Sequence, residues 1–340
     1  MPLAAGIVDD FQAIGLPIFG VTQKLAQLES SKTFAKAFMH RHHLPTAASK
    51  TVHNAIEAHA EATLMGLPLV LKKDGLAAGK GVVIANDAAT LDDTIEQFYA
   101  GHPDATVLLE EYLAGEEASV MALFNDQKRV ILPLSQDHKR RHAADRGPNT
   151  GGMGAISPLP QFKPDQVQAA QSLVDATLAG MHQDGLNGHG VMYIGLIFTK
   201  EGPKILEYNM RFGDPETQVL LPQIENDFYQ LVSDLLDGQQ PTLKLNGLAY
   251  ACFVAVNPDY PRANLKTVPV IVPTNWPIGT WLPAGVERTD NGWISDAGRI
   301  FSVVAGAATL PEAVAKAKHD LESIQGVLDY RTDIGFHALK

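Results

Sequence analysis

The sequence predicts an α/β protein of the mixed α+β kind, with a boundary near residue 240. Three observations predict it. From residue 30 to about 236, segments with apolar residues at helical spacing alternate with short apolar runs of strand length. Beyond Gly238 and Pro241 the pattern becomes short strands separated by Pro, Gly and Asn, which marks a smaller β-rich C-terminal part. The composition is that of a folded chain: 340 residues, 45% hydrophobic and 19% charged, room for about two domains and a large core.

Leu3, Ile7 and Phe11 recur at spacing four, so residues 1–11 read as a helix, ended by Gly15-Leu16-Pro17. Ile18-Phe19 reads as a short buried strand. An α/β domain normally opens with a strand; opening inside a helix makes residues 1–29 read as the remnant of an N-terminal α/β domain. Ser30 or Ser31 caps a helix running to His43, with Phe34, Phe38 and Met39 on one side, and Leu44-Pro45 stops it. Thr51 caps a helix over about 52–64. Residues 68–72 form an apolar strand, 74–81 a glycine-rich loop, 81–85 a second strand, 88–99 a helix and 106–112 a strand with two acids. Residues 118–124 and 129–134 are strands joined by the polar turn 125–128, an antiparallel hairpin by its spacing. Residues 135–160 are polar, irregular and rich in glycine, and a loop this long in a folded chain is usually functional or disordered. A long helix follows at 164–181, then strands at 191–199 and 204–210 and a helix at 227–236. The C-terminal part has strands at 249–256, 268–272, 280–282 and 299–305, and a helix at 310–324 started by Pro311.

The charge balance excludes several classes. Lys and Arg number 27 and Asp and Glu 38, so the net charge is 27 − 38 = −11, against a general nucleic-acid or anionic-membrane binder. No apolar run approaches the ~18 residues that span a bilayer. The start carries Asp9 and Asp10 and no basic segment, unlike a secretory signal. The single cysteine, Cys252, rules out an internal disulfide and a multi-cysteine zinc site, and fits a cytoplasmic protein.

Four segments carry residues suited to chemistry. The first is Lys72-Lys73-Asp74-Gly75-Leu76-Ala77-Ala78-Gly79-Lys80-Gly81, where small residues let backbone N–H groups approach an anion and lysines add charge. It is not a Walker A loop: only three residues separate Gly75 from Gly79-Lys80, and Gly81 stands where Ser or Thr would hold a metal. An ordinary glycine-rich turn with solvated lysines is the alternative. The second is Glu110-Glu111 at the end of an apolar strand, followed by Gly115-Glu116-Glu117; a carboxylate there can accept from a ribose diol, or simply be solvated. The third is Glu207-Tyr208-Asn209-Met210-Arg211. Glu207 and Asn209 share one face of a strand, and two oxygen ligands suit Mg²⁺, although the wet face of an edge strand has the same pattern. The fourth is the long loop, with Asp137-His138-Lys139-Arg140 and Asn149-Thr150-Gly151-Gly152, where basic residues beside a glycine nest suit an anionic substrate. His138 there is a candidate proton carrier or a structural histidine.

Together these segments, with Leu28-Glu29-Ser30-Ser31-Lys32, the stretches 147–155 and 211–218, and Tyr330-Arg331-Thr332-Asp333-Ile334-Gly335, closely resemble the phosphoribosylamine–glycine ligase family of ATP-grasp enzymes. The resemblance implies an ATP-grasp two-lobed core over 30–238, with a flap lobe at about 48–112, and a C-terminal β-rich domain over 239–340. It implies ATP and Mg²⁺ or Mn²⁺ as cofactors, with glycine and 5-phosphoribosylamine joined into glycinamide ribonucleotide. By that resemblance Lys32 and Lys72 contact the ATP phosphates, and Gly75, Gly79, Lys80 and Gly81 belong to the flap. Glu110, Glu111 and Leu113 line the adenine hinge, Glu117 meets the ribose, and Glu207 and Asn209 hold the metal. Asp137, His138, Arg140, Asn149, Thr150, Gly151, Gly152 and Gly213 border the substrates, with Lys139, Arg211 and Asp214 as catalytic candidates. The family's opening strand and glycine loop have no counterpart here, so the expectation is a further N-terminal segment supplied in cis or in trans. Two other readings are a truncated, catalytically incomplete ATP-binding protein and an ATP-grasp ligase with another amine substrate.

Overall fold

The computed structural model describes residues 2–75, 81–262, 264–271, 281–290, 292–326 and 328–339. The chain divides into two units: residues 1–131, 164–211 and 234–240, and residues 132–163, 212–233 and 241–340.

The first unit opens with helices α1 (Ile7–Ala13), α2 (Gln27–Ser30) and α3 (Lys32–Arg41). Ser31 caps α3 as its spacing implies, its hydroxyl accepting from the Phe34 N–H at 3.1 Å. There follow β1 (Ser49–Val52), α4 (Ala55–Met65), β2 (Leu69–Lys73), β3 (Val82–Ala85), α5 (Ala88–Tyr99) and β4 (Val107–Glu111). The four strands form an antiparallel sheet in the order β1-β4-β2-β3. Leu69, Leu71, Val107 and Leu109 bury one face of it in a core with Ile95, Phe98 and Tyr99 of α5 and Ala58 and Ala62 of α4. Because side chains alternate along a strand, Lys72 and Glu110 fall on the opposite face. That face carries two of the candidate residues.

A second antiparallel sheet of the same unit contains β5 (Glu116–Phe124), β6 (Arg129–Ile131) and the strands Gly190–Thr199 and Gly202–Asn209. The long strand Gly190–Thr199 is buried along nearly its whole length and lies between β5 and Gly202–Asn209. Helix α6 (Pro164–Gln183) packs on it, with Thr177 and Tyr208 sharing a buried hydroxyl–hydroxyl bond of 3.0 Å. The register shifts opposite Gly195 and Leu196, so Ile205 and Tyr208 are both buried while Glu207 and Asn209 occupy the other side.

In the second unit, strands Gln136–Asp137, Gly154–Ser157, Ala249–Val256, Arg299–Ala307 and Trp281–Pro283 are neighbours in that order in one sheet. Helix Leu310–Glu322 packs against its two long strands. Strands Val286–Thr289, Gly292–Ser295, Pro269–Ile271 and Gln325–Gly326 form a smaller sheet. No helix among the described residues is long and apolar enough to cross a membrane.

Several local expectations are corrected. The N-terminal helix is broken at Gly6, whose φ of 89° is left-handed, into a short 3-10 turn and α1. Ile18 and Phe19 form no strand; Phe19 instead stacks on His189 at 5.8 Å between ring centroids. Thr51 does not cap a helix: Thr51 and Val52 pair with β4, and Asn54 caps α4 by accepting from the Glu57 N–H at 2.9 Å. Residues 135–160 are not all irregular, since they hold four short strands, two of which, Arg140–His142 and Arg146–Asn149, make a separate hairpin.

Candidate active site

In the first unit the two sheets bring charged groups to buried positions. Glu110 is 2% exposed and lies between two lysines: Lys72 Nζ is 2.9 Å from one carboxylate oxygen and Lys36 Nζ 3.3 Å from the other. Lys72 also donates to the Leu206 carbonyl at 3.3 Å, linking β2 to the strand that carries Glu207. Lys32, one turn before Lys36 on α3, donates through Nζ to the Gly75 carbonyl at 2.6 Å. Burial lowers the Lys32 pKa, while the charges of Asp74 and Glu207 act the other way.

The start of the glycine-rich segment is anchored on α3. Asp74 Oδ1 accepts from the Lys32 N–H at 2.6 Å, and its Oδ2 from the Thr33 hydroxyl at 2.9 Å. A carboxylate at a helix N-terminus satisfies free N–H groups and meets the positive end of the helix dipole. At the far end Lys73 N–H donates to the Gly81 carbonyl at 2.8 Å, closing the neck of the β2–β3 hairpin. Gly79 and Lys80 lie outside the described residues. A cavity of about 660 Å³ opens beside this neck, lined by Lys73, Asp74, Gly75 and residues 101–106; Lys72, Glu110 and Glu207 do not line it.

The remaining first-unit candidates lie along the same elements. Glu111 is half-buried and accepts from the Ala48 N–H at 3.1 Å. Leu113 is half-buried and Glu117 is exposed at the start of β5. Glu207 is half-buried over Gly195, where an added Cβ would sit 3.2 Å from Glu207 Cγ; the missing side chain makes room for the carboxylate. Asn209 Oδ1 accepts from Arg211 Nη2 at 3.2 Å, and Arg211 Nε pairs with Glu29 at 3.0 Å. Two hard oxygen donors two residues apart fit a divalent ion that draws its other ligands from phosphates and water. The described residues hold no group of three or more His, Cys, Asp or Glu placed to bind a metal by themselves.

In the second unit the long loop and Asp214 come together. Arg299 donates to the Gly151 carbonyl at 2.8 Å and to Asp214 Oδ2 at 2.6 Å, while Gln218 donates to Asp214 Oδ1 at 2.6 Å. The Tyr260 hydroxyl accepts from the Gly151 N–H at 2.8 Å. Gly152 has φ 109°, and a Cβ there would overlap the Pro215 ring, so only glycine allows this approach. Thr150 donates through both N–H and hydroxyl to the Lys139 carbonyl, each at 2.8 Å. Arg140 donates to the Gly147 carbonyl at 2.9 Å and pairs with Asn149 across the hairpin. Asp137 pairs with Ala155 in the sheet, and the Gly213 carbonyl accepts from the Thr217 N–H at 3.1 Å.

Arg331 locks this loop. Its fully buried guanidinium pairs with Asp145 at 2.8 Å and Asp333 at 2.7 Å, and donates to the Arg140 carbonyl at 3.1 Å. Site reasoning from sequence passed over Lys36, Arg299, Tyr260 and, as individual players, Glu29 and Arg331. The string from Tyr330 to Gly335 carried a usable signal for Arg331; Lys36 and Arg299 have none, since a lone basic residue on a helix or strand normally reads as solvated.

His138 is sealed in this unit, and its Nε2 accepts from the Gly335 N–H at 2.9 Å. Burial, with the Arg331 charge adding to it, pushes its pKa down to about 3 from 6.5. The ring is therefore neutral. As pH falls below 6.5 the unfolded chain takes up the proton and the folded one does not. The stability tied to neutral His138 is full above pH 6.5 and is lost progressively toward pH 3, by about 1.4 kcal/mol per unit, or roughly 2 kcal/mol at pH 5. Urea unfolding at pH 7 and pH 5 should show that loss in the native chain and a smaller one in His138→Gln, whose amide oxygen can still accept from Gly335. Equal losses would assign the acid sensitivity to other groups.

A family model described as phosphoribosylglycinamide synthetase, ATP-grasp (A) domain, matches residues 30–217, and the C domain of the same synthetase matches residues 250–337. A phosphoribosylamine–glycine ligase from Halalkalibacterium halodurans is 40% identical over 346 residues, covering 100% of this chain and 81% of that protein. Its namesake from Streptococcus pneumoniae strain R6 is 41% identical, covering 99% of this chain and 82% of that protein. The crystal structure of phosphoribosylamine–glycine ligase from Thermotoga maritima superposes with a TM-score of 0.87 at 32% identity, covering 96% of this chain and 84% of that one.

Proposed function

We propose, from the premise that this chain belongs to the phosphoribosylglycinamide synthetase family of ATP-grasp enzymes, that it joins glycine to 5-phosphoribosylamine at the expense of ATP. A glycine carboxylate oxygen attacks the γ-phosphorus and ADP leaves, giving glycyl phosphate. The amine nitrogen then attacks the acyl carbon, phosphate leaves with the acyl C–O bond, and the amine gives up a proton. The products are glycinamide ribonucleotide, ADP and phosphate. The observation that carries this reading is the buried Lys72–Glu110–Lys36 group beside Lys32 and the Glu207 strand, all within the unit that bears the ATP-grasp match.

Phosphoryl transfer asks for positioning and charge neutralisation rather than covalent chemistry from the protein. Lys72 and Lys32 supply positive charge to the phosphates, and the glycine-rich segment supplies N–H groups. Glu110, Glu111 and Leu113 border the adenine and Glu117 the ribose. Glu207 and Asn209 would hold a divalent ion, Mg²⁺ or Mn²⁺, which when bound neutralises charge on the transferred phosphoryl group. The loops of the second unit, with Asp137, Lys139, Arg140, residues 149–152 and Asp214, receive glycine and the phosphorylated amine. Arg211, tied to Glu29, and Gly213 are the remaining candidates for contact with these substrates. No enzyme nucleophile is needed, and Cys252 is unsuited to be one: burial pushes its thiol up to about 12.

The test is an assay with ATP, Mg²⁺, glycine and freshly generated phosphoribosylamine. ADP release that needs both glycine and the amine, with glycinamide ribonucleotide identified by mass, is the expected result. ADP release indifferent to glycine would overturn the reading.

A further inference from the structure

Lys36 is a buried charge of the first unit to which the proposed reaction gives no direct role. It is 4% exposed on the inner side of α3. Its ammonium donates to the Thr46 hydroxyl at 2.7 Å and the Ala47 carbonyl at 3.2 Å, and forms an ion pair with Glu110 Oε1 at 3.3 Å. Thr46 in turn donates to the Ile205 carbonyl at 2.7 Å, tying the group to the strand that carries Glu207. Lys36 is thus enclosed by protein partners on the inner side of the helix. Lys72 differs. Its partners are Glu110 Oε2 at 2.9 Å and the Leu206 carbonyl at 3.3 Å, which leaves one N–H without a partner among the described residues.

Charge counting gives the contrast a meaning. A buried carboxylate facing a single lysine makes a neutral pair, and that lysine offers little field to an incoming anion. Two lysines on one carboxylate leave the group at +1. In a low-dielectric setting that surplus acts strongly on a nearby phosphate. We propose that Lys36 is a positioning residue for Lys72: by holding one oxygen of Glu110 and offsetting its charge, it lets Glu110 orient Lys72 without neutralising it. This rests on the reading of Lys72 as a phosphate ligand.

The test compares Mg·ATP binding by calorimetry for the full chain and for Lys36→Met, Lys72→Met and the double variant, with thermal melting alongside. Lys36→Met is expected to weaken ATP about tenfold, a charge-assisted contact's worth. The double variant should be no weaker than Lys72→Met within about twofold, because Lys36 acts through Lys72. Native-like ATP binding in Lys36→Met, or losses that add in the double variant, would overturn the proposal. Native-like binding in Lys72→Met would overturn the phosphate reading itself, and this inference with it.

A second measurement needs no variant that removes the charge. Lys36 is faced by Glu110 and Glu111 from β4 and by Lys72 from β2, and burial lowers its pKa to about 8. ATP affinity of the native chain should begin to fall above about pH 8. In Lys36→Arg, whose guanidinium stays charged, the fall should start at higher pH. Superimposable profiles would overturn the proposal even if Lys36→Met fails to fold.

Discussion

Lys72→Met is expected to weaken ATP binding and turnover ten- to a hundredfold while leaving the chain folded. A lysine–phosphate hydrogen bond is charge-assisted and worth about 1.5–3 kcal/mol. Lys72 sits on the face of β2 turned away from the helix-packed core, with its ammonium beside Glu110. Methionine fills most of the space of the lysine stem, so little packing is lost. Glu110 keeps Lys36 as its counter-charge, so the substitution does not strand a buried carboxylate. Nucleotide titration and thermal melting on one preparation separate the two effects. Unchanged affinity and turnover would return Lys72 to a structural ion pair.

The second large effect is expected of Glu207→Gln. The amide keeps the shape of the carboxylate, and its stem can still lie over Gly195. What it loses is the negative charge that a hard dication needs. Turnover measured against Mg²⁺ concentration should require about tenfold more metal or more for half-maximal rate, with the melting temperature little changed. Loss of the carboxylate also removes one of the charges that favour the protonated form of Lys32. The metal titration is therefore made at one fixed pH for both proteins. Identical metal dependence in the two proteins would take Glu207 out of the metal site.

Much of the frame was legible in the sequence where pattern and length agreed. Helix α5 runs over Ala88–Tyr99 as its periodicity implies, with the Asp87 carboxylate accepting from the Thr90 N–H at 2.8 Å as its cap. The hairpin of β5 and β6 and the pairing of Gly190–Thr199 with Gly202–Asn209 follow from apolar runs separated by short polar turns. Thr51 misled because a β-branched residue before a helix serves equally as a strand residue, and pairing with Leu108 decided the matter. The strands within 135–160 are two to four residues long, too short for alternation to register. Glu207 and Asn209 stood out in the sequence as polar residues alternating with Tyr208 and Met210, and the strand sets both on the side away from buried Ile205 and Tyr208. The Lys36–Glu110 contact was not, because it joins a helix to a strand through burial, and burial of a lysine leaves no mark in local sequence.

The anchoring of the 140–149 hairpin by Arg331 also has a consequence for how the protein is made. The Arg331–Arg140 contact spans 191 residues, and the His138–Gly335 contact spans 197. A ribosome adding roughly 5–20 residues per second needs on the order of 10–40 s to cover that distance. Throughout that interval Asp145 and the Arg140 carbonyl wait for a guanidinium that has not yet been synthesised, and the hairpin has only its own two strands to hold it. A two-stranded hairpin alone is marginal in water. The sheets of the first unit close through neighbours nearer in sequence, so that unit can mature while the 140–149 hairpin is still unset. The order of assembly is thus written into the topology: the loops proposed to receive glycine and the amine take their final form late in synthesis.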